Sequence, residues 1–389
     1  MSTIINARSP YFVKYEEGPF QGYYLSSIQA RIYVWSGLLT AQPTTPTYNI
    51  TKGNLGSETF TNLELSQLIR DFLDTEYYDV TSGTLGTADD AVWVHVDVDL
   101  YDGISIFKQY SDTYLAFDGY GYFDEGVNPR TSTTSLATPP TNFTPMVLMD
   151  NRIVYFKRGE EIRIPIFSES QATATTNISS VWNLEENYWG QATQDWDATT
   201  IPQTIVDSDD SADKIQYLII DSTQAQTGDT ITITSTAGLP QEVVITLQEI
   251  ECGKFDDYRV IFYNKYGALQ DFYMNKKSDK DLKVKSEDYN RNIFSRVNNN
   301  YNTKKHQKYT YNVQANQSIT LNTEFFPESF NLLVEQMLMA EQVWISLAEV
   351  VQPVVHSTKS LKYKTHVNDK LIQYTMKFDF SNSYLNNVI

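Results

Sequence analysis

Cysteine is almost absent: Cys252 is the single one in 389 residues. No intrachain disulfide can form, and no cysteine-rich zinc site can be assembled. Nothing in the sequence beside Cys252 fixes a cationic partner, so a buried structural thiol is expected rather than a nucleophile. Histidine is scarce too. His95, His306, His356 and His366 fall at no zinc-ligand spacing, and no H-E-x-x-H occurs. The nucleophile elbow G-x-S-x-G and the P-loop are missing. No apolar run reaches the ~18 residues of a membrane-crossing helix, so no membrane insertion is expected. The start, "MSTIINARSP", lacks a signal peptide's apolar core. No short internal repeat marks a solenoid or β-helix.

Positive charge is also in short supply. Lys and Arg number 30 against 48 Asp and Glu, a net of −18. The imbalance is uneven: residues 1–253 carry 12 basic and 34 acidic side chains, residues 254–310 carry 13 and 7, and the rest 5 and 7. Such a surface repels a polyanion, which argues against general nucleic-acid binding. The basic segment is instead suited to an acidic surface, such as that of a copy of the same chain.

What the chain does have is strand-forming side chains. It contains 27 Tyr, with frequent Thr and Val, and 41% of it is hydrophobic, enough to bury several cores. The expected fold is mainly β: multi-domain β-sandwiches with a few helices and a small C-terminal α+β or β-sandwich unit. The expected domains are 1–143, β-rich with one helix; 144–250, an immunoglobulin-like β-sandwich; and 251–389, a β domain with one packed helix. The proline-bearing stretch 131–145 reads as a linker or extended crossing. Two helices can be drawn. In "TNLELSQLIRDFLD", Thr61–Asp74, the residues Leu65, Leu68, Ile69 and Phe72 share a face, and Thr61 with Glu64 fits a capping box. In "PESFNLLVEQMLMAEQVWI", from Pro327, the stripe is Phe330, Leu333, Val334, Met337 and Leu338. Around Lys157-Arg158-Gly159-Glu160, Ile153 and Tyr155 on one side and Ile162, Ile164 and Ile166 on the other read as a hairpin or paired strand ends. "KIQYLIID" and "DTITITSTAGLPQEVVITLQEI" supply further strands.

One stretch decides whether to look for a metal. In "AVWVHVDVDLYDG", Ala91–Gly103, a strand puts Val92, Val94, Val96, Val98 and Leu100 on one face. Trp93, His95, Asp97, Asp99 and Tyr101 take the other. His95, Asp97 and Asp99, with Asp102 from the turn, have ligand chemistry, but same-face neighbours stand roughly 7 Å apart and no second element offers convergent ligands. The expectation is a polar face meeting water or a neighbour. The adjacent carboxylates Glu16-Glu17, Glu160-Glu161, Glu185-Glu186, Asp209-Asp210 and Asp256-Asp257 give no glycosidase pair, because strand neighbours point apart. No enzyme and no cofactor is therefore expected. Tyr120 and Tyr122, flanking Gly121, are the candidates for a weak glycan or partner contact. Trp182 and Trp189 divide the same way, with one of them expected to plug the sandwich core.

From "ECGKFDDYRVIFYNKYGALQDFYMNKKSDK" onward the chain resembles structural proteins from the tail or neck gene clusters of tailed bacteriophages, including crAss-like and related phages of Bacteroidetes-type and marine hosts. The resemblance rests on Asn264–Phe272, the Lys-rich strand that follows, "SITLNTEFFPESFNLLVEQMLMAEQVWI", "YKTHVNDKLIQYTMKFDFSNSYLNNV" and "NARSPYF" near the start. It covers roughly residues 250–389 and the first dozen. It implies a virion part of the tail, neck or baseplate, assembled in the host cytoplasm. The partners implied are copies of itself in a cyclic ring and other tail or neck proteins, with DNA at most passing through a channel. The candidate subunit-interface residues are Lys276, Lys277, Lys283 and Lys285, facing the acidic bulk of 1–253. The alternative is a receptor- or glycan-binding tail adaptor or fibre protein.

Overall fold

The computed structural model describes residues 3–16, 25–53, 59–73, 75–78, 86–87, 91–129, 142–143, 147–167, 172–178, 203–204, 211–235, 239–240, 242–250, 253–297, 299–348, 350–360 and 371–385. Strands dominate, and the fold is mainly β and multi-domain. Two compact units are present: residues 1–250 with 262–271 and 339–341, and residues 251–261 with 272–338 and 342–389. Among the described residues no helix is long and apolar enough to cross a membrane. Trp182, Trp189, Cys252, His366, the pairs Glu185-Glu186 and Asp209-Asp210, and most of 131–145 lie outside the described residues.

The first sheet is built from β1 (Thr3–Asn6), β3 (Ser27–Trp35), β4 (Tyr48–Gly53), β6 (Ala91–Tyr101) and β7 (Ile106–Phe117), while β2 (Phe12–Glu16) and β5 (Phe60–Glu64) pair as a separate ribbon. Its order is β1-β7-β6-β3-β4, with β1 parallel to β7 and β6 antiparallel to both neighbours. The alternation of β6 is realised as expected on its apolar face. Val92, Val94, Val96, Val98 and Leu100 are buried with Ile28, Ala30 and Ile32 of β3. Each of these Val, Leu and Ile side chains contributes roughly 1.5–3 kcal/mol over an exposed one.

The helix expected over Thr61–Asp74 is split: Thr61–Glu64 belongs to strand β5, and helical turns cover only Ser66–Phe72. Thr61 and Leu63 face inward on β5, whose ladder pairs Tyr15 with Thr61 and Val13 with Leu63. Only one α-turn follows, α1 (Ser66–Ile69), and a 3-10 turn over Arg70–Phe72; Leu65 is the N-cap and no side chain caps it. The ladder satisfies backbone groups that the capping box would have left to side chains. Leu65 and Ile69 still reach the core.

Next come β8 (Ile153–Phe156), β9 (Glu161–Phe167), β10 (Ala172–Thr176), β11 (Ile215–Asp221), β12 (Thr230–Ser235) and β13 (Glu242–Glu249). They form two sheets, β8-β13-β12-β10 extended by Gln203–Thr204, and β9-β11 extended by Gly86–Thr87. One core joins Phe156, Ile231, Ile233 and Ile245 of the first to Ile162, Ile164, Leu218 and Ile220 of the second. The first strand lies parallel to the last, and β9 and β11 pair across from the β10-β12-β13 side. Two sheets packed over one core in this way make a β-sandwich. The segment around Lys157–Glu160, expected as a hairpin or paired strand ends, is an arch: the turn closes with Glu160 N–H to Lys157 O at 3.1 Å, but β8 and β9 enter different sheets. Period-two alternation is the same in a hairpin and in an arch.

The remaining strands are β14 (Tyr258–Tyr263), β15 (Leu269–Met274), β16 (Asp279–Asn290), β17 (Lys308–Asn322), β18 (Val343–Leu347), β19 (Val350–His356) and β20 (Thr375–Phe380), with α2 (Asn331–Met339) between β17 and β18. They form a seven-stranded sheet ordered β15-β14-β18-β19-β20-β17-β16. Gly267 turns the chain from β14 to β15 at φ 77°. A Cβ there would lie 3.2 Å from the Asp118 backbone N, so both conformation and space call for glycine. Asn264 Oδ1 accepts from the N–H groups of Tyr266 at 2.9 Å and Ala268 at 3.2 Å, fixing the turn. The α2 stripe is mostly as its spacing predicts: Phe330, Leu333, Val334 and Met337 are buried, whereas Leu338 is half-buried and Gln336 is buried instead. Phe330 stacks on Phe326 at 5.1 Å, and Phe326 meets Phe272 at 5.2 Å. The helix stops at Met339; the "VWI" assigned to its end begins β18, where Val343, Trp344 and Ile345 pair with β19.

Candidate interface on the C-terminal sheet

The polar face of β6 meets both water and neighbouring side chains of its own sheet, with Trp93 and Asp99 buried. Trp93 is buried and its Nε1 donates to Gly37 O at 3.1 Å. Asp99 is buried as well, held by Arg31 Nη1 and Gln109 Nε2, each at 2.6 Å. His95 lies 2.8 Å from Thr113 Oγ1 and 3.2 Å from Asp97 Oδ1. These polar atoms are taken up by protein partners, and among the described residues no three His, Cys, Asp or Glu side chains are placed to hold a metal ion. Burial pushes the Asp99 carboxyl up, but the hydrogen bonds from Arg31 and Gln109 and the Arg31 charge outweigh it and hold it below the usual range. Its stabilising contribution is therefore complete above about pH 4 and fades as pH falls further. Arg31→Met is expected to cost about 1–3 kcal/mol at neutral pH, because it strands a buried carboxylate. It should also move acid unfolding to higher pH. An unchanged acid midpoint in circular dichroism would contradict this assignment.

Tyr120 and Tyr122 do not form an open stacking surface. Tyr120 is buried and Tyr122 half-buried, with their rings edge-to-face at 6.0 Å. Arg8 lies over Tyr120 at 4.8 Å and Lys265 over Tyr122 at 5.2 Å, so cations of the same chain occupy ring faces that a sugar would need. Nearby, Arg8 donates to Met339 O at 2.9 Å and approaches Glu341 at 3.5 Å, and Arg70 pairs with the same Glu341. Asp118, at the end of β7, is buried within the field of these three charges.

The four lysines separate into two kinds. Lys276 is half-buried and lies 3.3 Å from Glu324, which also accepts from Asn275, so its charge is committed within its own unit. Lys277 is exposed and pairs with Asp279 at 3.0 Å. Lys283 and Lys285 lie on β16, the edge strand of the sheet, and all twelve residues of that strand are exposed. Leu282 and Val284 point to its opposite face, 52% and 60% exposed. Among the described residues nothing covers either face of this strand.

An aromatic cluster that the sequence reading missed lies further along the same hairpin. Tyr289 stacks on Tyr309 at 5.7 Å and meets Tyr311 edge-on at 5.6 Å. Arg291 lies over Tyr309 at 5.6 Å. At the tip, Phe294 contacts Tyr301 across the short ribbon of Phe294–Ser295 with Asn300–Tyr301. The strand register brings these residues together, and only the lack of acidic residues between Asp288 and Glu324 hinted at it. The aromatic and arginine side chains of this hairpin are of the kinds enriched at protein interfaces. Compared with protein-family models and with curated proteins, the chain finds no match in either.

Proposed function

We propose that this chain is a structural component of a tailed-bacteriophage particle that forms a homo-oligomeric ring in the tail, neck or baseplate. The observation that carries the reading is β16, an edge strand exposed on both faces within the one basic stretch of an acidic chain. An open edge invites pairing or covering by another chain. A head-to-tail ring uses two different patches on each subunit and closes by rotation. The basic edge and the acidic body are such a pair. The phage resemblance of residues 250–389 supports the particle setting, and implies six or twelve copies. A strongly acidic channel wall would also let DNA pass without holding its phosphates. Imaging of the particle at moderate resolution tests the reading. A closed ring of this chain is the expected result; a single copy, or copies scattered without closure, would refute it.

A further inference from the structure

Resting on that reading, we propose that the outer part of the β16–β17 hairpin, residues 285–314, is an arm that docks on the acidic surface of a second copy of this chain. Phe294, Val297 and Tyr301 anchor it, and Arg291, Arg296, Lys304 and Lys305 steer it.

The argument starts from strand pairing. β17 pairs with β20 only over Ser318–Asn322. Among the described pairings, residues 285–290 and 308–314 have only each other as ladder partners. The ribbon thus runs on for roughly 20–30 Å with no third strand. The register shifts between Lys285 and Glu287, opposite Asn312 at φ 50°, and a bulge of this kind bends and twists a ribbon. A two-stranded hairpin is marginal by itself in water. This one nevertheless leaves Val297 93%, Tyr301 67% and Phe294 44% exposed at its tip. Apolar side chains held out on a ribbon are what a protein surface would cover.

Charge selects the occupant. Between Asp288 and Glu324 there are five basic and no acidic side chains, and with a total of −18 everything outside that stretch nets −23. Of the five, Lys308 pairs with Asp288 at 2.9 Å within the ribbon; the other four have no salt bridge among the described residues. A polyanion such as DNA would meet the strongly negative remainder of the chain. A second copy offers the opposite sign instead, with Asp71, Asp112, Asp124, Asp221 and Glu242 exposed in residues 1–250.

The test uses the full chain with a benzophenone side chain in place of Val297. Light- and heavy-nitrogen preparations are mixed, irradiated and digested. Mixed-isotope cross-links from the arm to peptides of residues 1–250 are expected. They should vanish at about 1 M salt, where the screening length falls to about 3 Å. The combined variant Arg291→Glu, Arg296→Glu, Lys304→Glu, Lys305→Glu should lower their yield by about tenfold or more, with an unchanged circular dichroism spectrum. Links confined to single-isotope peptides, or mixed links that survive charge reversal, overturn the inference. So does duplex DNA binding that the reversal abolishes, in the absence of mixed links; that result assigns the arm to nucleic acid. Sedimentation of the same samples keeps the two claims apart. A self-associating chain whose arm makes no mixed links loses the arm contact and keeps the ring.

Discussion

Leu333→Asp is expected to abolish folding of the C-terminal unit, while Leu332→Asp, one residue earlier, leaves it intact. Leu333 is 6% exposed and Leu332 is 49% exposed. The buried position loses about 2–3 kcal/mol of apolar burial. It also gains a carboxylate with no cation on the α2 stripe, at a cost of several kcal/mol, or a forced protonation. Together these approach the whole ~5–15 kcal/mol that holds a domain folded. The exposed position should change stability by roughly 0.5 kcal/mol or less. Limited proteolysis and thermal melts read both variants. A Leu333→Asp chain that resists protease and melts as the wild type does would mean that the Phe330–Leu333–Met337 stripe is not part of a core.

Asp118→Asn is expected to stabilise the first unit at neutral pH. The carboxyl of Asp118 is pushed up to about 6, chiefly by burial; Arg8 pulls it down, Glu341 pushes it up and Arg70 pulls it down. The folded chain therefore holds this proton at pH values where the unfolded chain, with a carboxyl near 3.9, has released it. Between about pH 4 and pH 6 the folded state binds more protons, so the contribution of this group to stability falls as pH rises. By pH 7 the cost of ionising it in place approaches about 3 kcal/mol, at 1.36 kcal/mol per unit. Asparagine removes that cost and flattens the slope. Below about pH 4, where Asp118 is protonated in both states, the two proteins should converge. Urea titrations at pH 4, 5.5 and 7 would show this. A variant less stable than wild type at pH 7 would instead mean that Arg8 and Arg70 compensate an ionised Asp118 in full.

Legibility in the sequence followed the range of the interactions. The apolar face of β6, the Ile162–Ile166 alternation of β9 and the α2 stripe are local patterns with a fixed period, and all three were readable. Thr61–Asp74 was only half legible because Thr61 and Leu63 suit a strand while Leu65, Leu68 and Ile69 suit a helix; pairing with β2 claims Thr61–Glu64, and the helix starts only after it. The burial of Asp99 depends on Arg31 and Gln109, which no spacing rule connects to it. The same holds for Tyr120, covered by Arg8, and for the Tyr289–Tyr309 stack, which exists only in one register of one hairpin. Lys276 was legible as part of a basic run but not as the partner of Glu324. The apolar skeleton was therefore readable, and the polar contacts that qualify each candidate residue were not.

The parallel pairing of β8 with β13 has a mechanical consequence. Ile153 through Phe156 lie beside Thr246 through Glu249, running the same way. Tension applied at the start of β8 and the end of β13 drags these two strands past each other lengthwise. Every rung of that ladder then carries force at once, as in a lap joint, whereas a hairpin pulled by its ends peels one rung at a time. Resistance of this sandwich to tension is accordingly set by how fast the whole ladder can shear, and not by its equilibrium stability.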